Sequence, residues 1–221
     1  MNKYVMLAHQ MCKFIPEAST NHLILEGIAL DDCDKMPIRD FNDSKKILLY
    51  TGSLGIHTSV EYLVKAFHEL AESHFSLIIC GDGYYRSLVE EFAAKDSRII
   101  YKGNVPRDQA VKLQQEATAV INPRRSDIRD TPYSFPSKTI EYLLSGTPMI
   151  GYKLEGIPNE YYEYFYPIPD LSIESLKETI RSVLLMDSEL LQIKAQEAYK
   201  FIKLNKTAKQ QINRLMLYLN K

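Results

Sequence analysis

The chain has 221 residues, 45% of them hydrophobic, with 27 basic and 28 acidic side chains and a net charge of -1. At roughly 100–200 residues per domain this carries one packed α/β core with additions, and the balanced charge excludes a global field that gathers nucleic acid or an anionic surface. Cys12, Cys33 and Cys80 form an odd set without Cys-x-x-Cys spacing, which argues against a disulfide framework and structural zinc, and for reduced cytoplasmic thiols.

The first residues lack the apolar core and cleavage site of a signal peptide, and no apolar run approaches the ~18 residues of a membrane span, so a cytoplasmic location is expected. Residues 1–45 read as the remnant of a preceding domain and a linker. They hold a strand-like run at 4–8, a helix ending before Pro16, a second strand-like run at 22–28, and then a charged aperiodic stretch to residue 44.

From residue 46 to 221 the pattern is regular. Ile47–Thr51 is an apolar strand stopped by Gly52-Ser53-Leu54-Gly55. Val60, Leu63, Val64, Phe67 and Leu70 then recur at helical spacing over about four turns. A second strand ends at Gly81-Asp82-Gly83 and leads to a helix carrying Leu88, Val89 and Phe92. Both glycine loops read either as tight turns or as places where backbone approaches a ligand. A third strand runs into Tyr101-Lys102-Gly103-Asn104, after which Pro106 opens a helix in the first turn, where its missing N–H costs nothing.

The stretch 119–151 organises the rest. An apolar strand ends at Asn122, a loop carries Arg124, Arg125 and Arg129, a helix opens near Pro136, and a further strand starts after Gly146-Thr147-Pro148. A helix amino end receiving a strand's loop favours an anion through free N–H groups and the helix dipole. Lys138 and Glu141 are three apart, so they share a helix face. The three arginines read as a solvated cluster or as phosphate ligands, and Tyr133 and Phe135 as packing residues or site residues. The Tyr-rich stretch 153–169 fills a crevice or lines a sugar pocket. Three helices close the chain at 171–186, 188–204 and 206–219; the last bears an apolar stripe of Ala208, Ile212, Leu215, Met216 and Leu219 that has to be buried against this domain or another chain.

Strands alternating with helices predict an α/β fold: a Rossmann-like parallel sheet of about four or five strands with helices on both faces. Ligands of such sheets sit beyond the carboxyl ends of the strands, where the Gly52, Gly81, Lys102 and Arg124–Lys138 loops all emerge.

The string S-F-P-S-K-T-I-E-Y-L-L-S-G-T-P-M-I, residues 134–150, resembles the signature of the group 1 (family 4) retaining glycosyltransferases. The resemblance implies the carboxy-terminal, donor-binding half of a GT-B fold. In that family Glu141 matches the acid that holds the ribose hydroxyls. Tyr133, eight positions earlier, stands where most members carry an acid that contacts the donor sugar. Ser53 and Thr58 stand where members carry an Arg and a Lys for the diphosphate. The implied catalytic residues are Lys138, for the leaving group, and Tyr133. The implied donor-binding set is Gly52, Ser53, Gly81, Asp82, Gly83, Lys102, Asn104, Arg124, Ser134, Phe135, Ser137 and Glu141, with Lys102 and Asn104 near the nucleobase and Ser134–Ser137 donating backbone N–H groups. The substrate expected is a UDP- or GDP-type nucleotide-diphosphate sugar, with an unknown acceptor. No metal and no cofactor are expected, because cations and helix N–H groups meet the departing diphosphate. Other expectations are inactivity without an acceptor domain, peripheral membrane association of a full-length protein, and a homo-oligomer through the last helix. The competing reading is a non-catalytic nucleotide-sugar-binding module. Of the scattered histidines, His57 lies nearest the first loop.

Overall fold

Short apolar runs separated by turn residues fold into eight strands and seven α-helices among the described residues, which in this computed structural model are 2–30, 36, 41 and 44–220. The charged linker expected before residue 45 lies almost entirely outside them.

At the amino-terminal end, β1 (Tyr4–Met6) and β2 (His22–Ile24) form a parallel pair with Tyr4 opposite His22 and Met6 opposite Ile24. Both are shorter than their apolar runs. The helix expected before Pro16 is a 3₁₀ segment, His9–Lys13, followed by a second one, Pro16–Ala18.

The main sheet follows in βα alternation: β3 (Lys46–Thr51), α1 (Val60–His68), β4 (Phe75–Cys80), α2 (Arg86–Lys95), β5 (Ile99–Tyr101), α3 (Arg107–Glu116), β6 (Ala119–Asn122), α4 (Lys138–Leu144), β7 (Met149–Tyr152) and β8 (Tyr166–Ile168). Its six strands are all parallel in the order β5-β4-β3-β6-β7-β8. Leu48, Leu49, Val120, Ile121 and Ile150 are buried although neighbours in a strand face opposite sides, as a sheet covered on both faces requires. The chain runs outward from β3 to β5, then returns to β3's other side at β6. The crevice at that reversal is where ligands of such sheets bind.

The sixth strand, β8, escapes a sequence reading because it is three residues long and contains Pro167. Proline is tolerated there because β8 is an edge, with no further strand to receive an N–H. Helix α1 has nine residues, about two and a half turns rather than four. It stops because the Arg98 guanidinium takes the carbonyls of His68 (3.2 Å), Leu70 (2.6 Å) and Glu72 (3.1 Å), turning the chain back toward β4. Leu70 stays buried just past the helix end.

Helices α5 (Ile173–Leu184), α6 (Ser188–Asn205) and α7 (Ala208–Leu219) close the chain. Side-chain oxygens of Ser172, Asp187 and Thr207 cap their amino ends. Helix α5 packs on α1, and α6 on α4 across the sheet. Tyr161 and Phe165 are buried and the Tyr164 ring stacks on Phe201 at 4.2 Å, so the Tyr-rich stretch fills the crevice beneath α6.

Helix α7 does not fold its apolar stripe onto this domain. Its apolar stripe stands in solvent, with Ile212, Met216 and Leu219 about half exposed, and its polar side chains make the tertiary contacts instead. Gln211 Nε2 donates to the Gly27 carbonyl at 2.7 Å, an Arg214 N–H donates to that of Ile24 at 3.1 Å, and the Tyr218 hydroxyl accepts the Tyr4 N–H and donates to the Asn21 carbonyl. Residues 2–30 are thus tied to the carboxy-terminal helices. Beneath this contact Lys206, 1% exposed, bonds Glu26 and Glu160 at 2.5 Å each. Among the described residues no helix is long and apolar enough to cross a membrane.

Candidate functional site

The loops at the carboxyl ends of β3, β4 and β5 are bonded to one another. The Gly52 N–H donates to the Cys80 carbonyl (2.9 Å), Leu54 N–H to that of Asp82 (2.9 Å), and Gly81 N–H to that of Gly103 (2.8 Å). The Tyr101 hydroxyl adds a bond to the Gly81 carbonyl at 2.8 Å. Small residues make the stitching fit: a Cβ on Gly83 would lie 2.8 Å from the Leu54 carbonyl carbon.

Ser53 and Thr58 hold the first loop internally. Ser53 Oγ accepts the Gly55 N–H at 3.1 Å, and the Thr58 hydroxyl donates to the Gly55 carbonyl at 2.6 Å. The Tyr50 hydroxyl donates to the Ser53 carbonyl at 2.6 Å, and burial pushes its pKa up to about 12. A second buried phenol ties this loop to α4: Tyr142 accepts the Thr51 N–H and donates to the Thr51 carbonyl, both at 2.9 Å. Burial raises its pKa far above the ordinary tyrosine value, so the hydroxyl remains a fixed donor.

These elements enclose a cavity of about 550 Å³, within the range of small-molecule sites. It is lined by Thr51, Gly52 and Ser53 at the end of β3, Cys80, Gly81 and Asp82 at the end of β4, Asn104, Val105, Arg107 and Ala110 around the start of α3, and Lys138 and Glu141 of α4. Seven expected residues meet here: Gly52, Ser53, Gly81, Asp82, Asn104, Lys138 and Glu141.

Lys138 Nζ lies 2.8 Å from Glu141 Oε1 and 3.3 Å from Thr51 Oγ1. Gln114 Nε2 reaches the same Glu141 oxygen at 2.6 Å and Thr51 Oγ1 at 3.0 Å. Among the described residues, Glu141 Oε2 receives no hydrogen bond, and it remains available as an acceptor. At 34% and 41% side-chain exposure, the Lys138–Glu141 pair adds little stability, about 0.2–1 kcal/mol. Its consequence is positional: a cation and a half-satisfied carboxylate face one cavity. The Cys80 thiol lines it too, and burial raises its pKa against the pull of Lys102 and Lys138, which favours the thiol over the thiolate.

The other expected residues lie outside this lining. Gly83 packs on the Leu54 backbone, and Lys102 is exposed at the rim. Arg124 turns to Ser134 Oγ at 2.9 Å and Thr131 Oγ1 at 3.3 Å; burial lowers its pKa. Ser137 precedes α4, and Phe135 packs against Tyr161 with ring centroids 5.4 Å apart. Tyr133 packs against Phe14 at 4.8 Å. Arg125 is a scaffold residue: its guanidinium covers the Tyr62 ring at 4.1 Å, donates to the Leu171 carbonyl and pairs with Asp127. His57 is exposed and absent from the lining.

Gln114 and Arg107 escaped the sequence reading. Arg107 sits in the Pro106-Arg107-Asp108 helix start, the same strand-to-helix context that singled out Lys138. Gln114 gave no signal, since a mid-helix glutamine is ordinarily exposed, yet here it is 1% exposed.

The sequence model of the family described as "Glycosyl transferases group 1" matches residues 32–201. An uncharacterized glycosyltransferase of Methanocaldococcus jannaschii is 26% identical over 119 residues, covering 52% of this chain and 29% of that protein. Among solved structures, S. aureus TarM in complex with fondaparinux, alpha-GlcNAc-glycerol and UDP superposes with a TM-score of 0.75 at 12% identity, over 99% of this chain and 43% of that one. WaaG, a glycosyltransferase involved in lipopolysaccharide biosynthesis, gives 0.70 at 18% identity, over 95% and 60%. Anabaena HepE in complex with UDP-glucose gives 0.69 at 12% identity, over 98% and 63%. This chain therefore spans less than two thirds of each of these proteins, and at such identities the structures show a shared fold, that of the GT-B glycosyltransferases. The family match covers most of the chain, including the strands and helices that build the cavity, and the chain belongs to the group 1 glycosyl transferases.

Proposed function

We propose that this chain is the donor-binding, carboxy-terminal half of a family 4 retaining glycosyltransferase that takes a hexose from a nucleotide diphosphate. The observation that carries this reading is the cavity where Lys138 and Glu141, one helical turn apart, face two interlocked glycine loops. Glu141 Oε2 accepts the ribose hydroxyls, while the Gly52, Ser53, Gly81, Asp82 and Gly83 backbone lies along the donor. Lys102 and Asn104 border the nucleobase. Lys138 stabilises charge on the departing diphosphate as the anomeric C–O bond breaks, an electrostatic task worth most in a water-poor site. Arg124, Ser134, Phe135 and Ser137 shape the loop that delivers Lys138, and Tyr133 occupies the place of the sugar-contacting acid.

TarM with UDP and HepE with UDP-glucose support a UDP-type donor over GDP. The fraction of each neighbour that the chain spans supports an acceptor site supplied by a further domain, without which transfer fails. Cytoplasmic residence, peripheral membrane attachment of a longer protein and self-association through α7's exposed Ile212, Met216 and Leu219 complete the reading.

Titration calorimetry with UDP, GDP and their hexose conjugates tests binding, and release of free sugar tests chemistry. Absence of all binding sinks the proposal. Tyr133 in the acid's place, packed on Phe14, favours a second reading, a module that binds nucleotide-sugar without turning it over. Binding without sugar release, even after an acceptor domain is added, selects it.

A further inference from the structure

A second group of chemistry-bearing side chains lies outside the donor cavity. His9, Cys12 and His22 each place one ligand atom within 4.8 Å of the others, and His9 Nδ1 stands 3.2 Å from His22 Nε2. A fourth soft atom adjoins them, the Met6 sulfur, 3.5 Å from Cys12 Sγ on a buried side chain.

We propose that His9, Cys12 and His22 form a binding site for a soft d¹⁰ cation, zinc(II) or copper(I), with the Met6 thioether beside the remaining position.

Local structure sets the donors. His9 and Cys12 are three apart in the 3₁₀ segment His9–Lys13, and a three-residue repeat puts them on one face. His22 opens β2, and Met6 ends β1, the strand paired with it. Sequence spacing hides the group, because His22 joins only through the turn between the strands. The donor set is what soft cations take: two imidazoles, a thiolate and a thioether.

The geometry fits. With metal–nitrogen bonds of about 2.0–2.1 Å, tetrahedral ligand nitrogens stand about 3.3–3.4 Å apart, close to the 3.2 Å seen here. A nitrogen and a thiolate in such a site stand about 3.6 Å apart, so a small rotation of the half-buried Cys12 completes it. The second observation concerns His22. Its Nδ1 lies 2.7 Å from the Ala18 carbonyl, so the ring donates there and presents an unprotonated Nε2 to the cluster. Metal-ligating histidines are oriented in this way, by a carbonyl on the other ring nitrogen. Without metal, His9 Nδ1–H donates to His22 Nε2. On binding, the His9 proton moves to the solvent-facing Nε2, the Cys12 thiol gives its proton to solvent, and the metal takes both lone pairs and the thiolate.

Phe14 follows Cys12 by two residues and packs on Tyr133 at 4.8 Å. A bound cation therefore braces the turn that supports the loop leading to Lys138, independently of any nucleotide.

Cobalt(II) titration of the full chain, under reducing conditions, reads the site through its thiolate charge-transfer and tetrahedral d–d bands. The expected result is one cobalt per chain, displaced by zinc(II), with the charge-transfer band lost in Cys12→Ser. His9→Gln, at an exposed position, leaves the fold intact and weakens cobalt binding by about tenfold or more. Zinc and copper(I) competition then separates the cations, and Met6→Leu weakens copper(I) alone if the thioether ligates. No thiolate band, or a band that His9→Gln leaves unchanged, overturns the proposal whatever the outcome of nucleotide titration.

Discussion

Gly81 lies against the carbonyl of Gly52: a Cβ on Gly81 would stand 1.7 Å from that oxygen, and Gly81 has φ +139°. The two loops that line one side of the cavity therefore meet backbone to backbone, with no room for a methyl group.

Gly81→Ala forces the loops apart, with a cost of about 1–3 kcal/mol from overpacking plus backbone strain. Urea unfolding is expected to show the loss, and calorimetry a matching loss of UDP affinity. Gly103→Ala is the contrast, because nothing lies within 4 Å of its added Cβ. Only its left-handed φ of +63° opposes the change, and about 1–2 kcal/mol is expected.

Glu141→Gln removes the carboxylate that faces the cavity with one oxygen unbonded among the described residues. A hydrogen bond to a charged group contributes about 1.5–3 kcal/mol, so UDP binding should weaken by about tenfold or more, with little change in melting temperature. Lys138→Met acts on the phosphates instead. It is expected to narrow the affinity difference between UDP and uridine, whereas Glu141→Gln weakens both. Calorimetry of the four combinations checks the assignment, and equal effects on both ligands in both variants count against it.

Lys206→Met leaves the buried Glu26 carboxylate with only the more distant Arg214 guanidinium, at 3.9 Å, as a cation among the described residues. Breaking a buried pair from one side costs about 3–5 kcal/mol. The pair joins residues 2–30 to the α6–α7 junction, so the amino-terminal segment should also become more open to protease. Lys206→Met combined with Glu26→Gln should cost less than the sum of the single changes.

Asp96 gives stability a pH dependence. Its carboxylate accepts bonds from Arg98 (2.7 and 3.0 Å) and His68 (3.1 Å), and the Arg98 bonds hold its pKa well below the usual value, outweighing burial. A depressed folded-state pKa stabilises above the unfolded value, about 3.9, and the contribution fades as pH falls toward the folded one. Asp96→Asn should therefore be less stable than wild type at pH 7, and the difference should shrink as pH falls below about 4. Denaturant midpoints across that range measure it. The His68 bond is the weaker link, since its ring is half exposed.

The alternation of apolar runs with helical stripes determined the α/β class by itself, because strand and helix periods differ and each stripe has to be covered. It also placed the Gly52, Gly81, Lys102 and Lys138 loops at one sheet edge, since parallel strands deliver every βα loop to the same end. Glu141 was legible because it lies one turn from Lys138. The tertiary structure decided what depends on contacts distant in sequence. Gln114 reaches Glu141 across 27 residues, Pro167 can sit in a strand because that strand is an edge, and Arg98 ends α1 from 30 residues away. Helix α7 shows the limit most plainly. Its periodicity marks an apolar face to be covered, yet within this domain Gln211, Arg214 and Tyr218 tie it to residues 2–30 instead, because their polar atoms satisfy part-buried backbone carbonyls there.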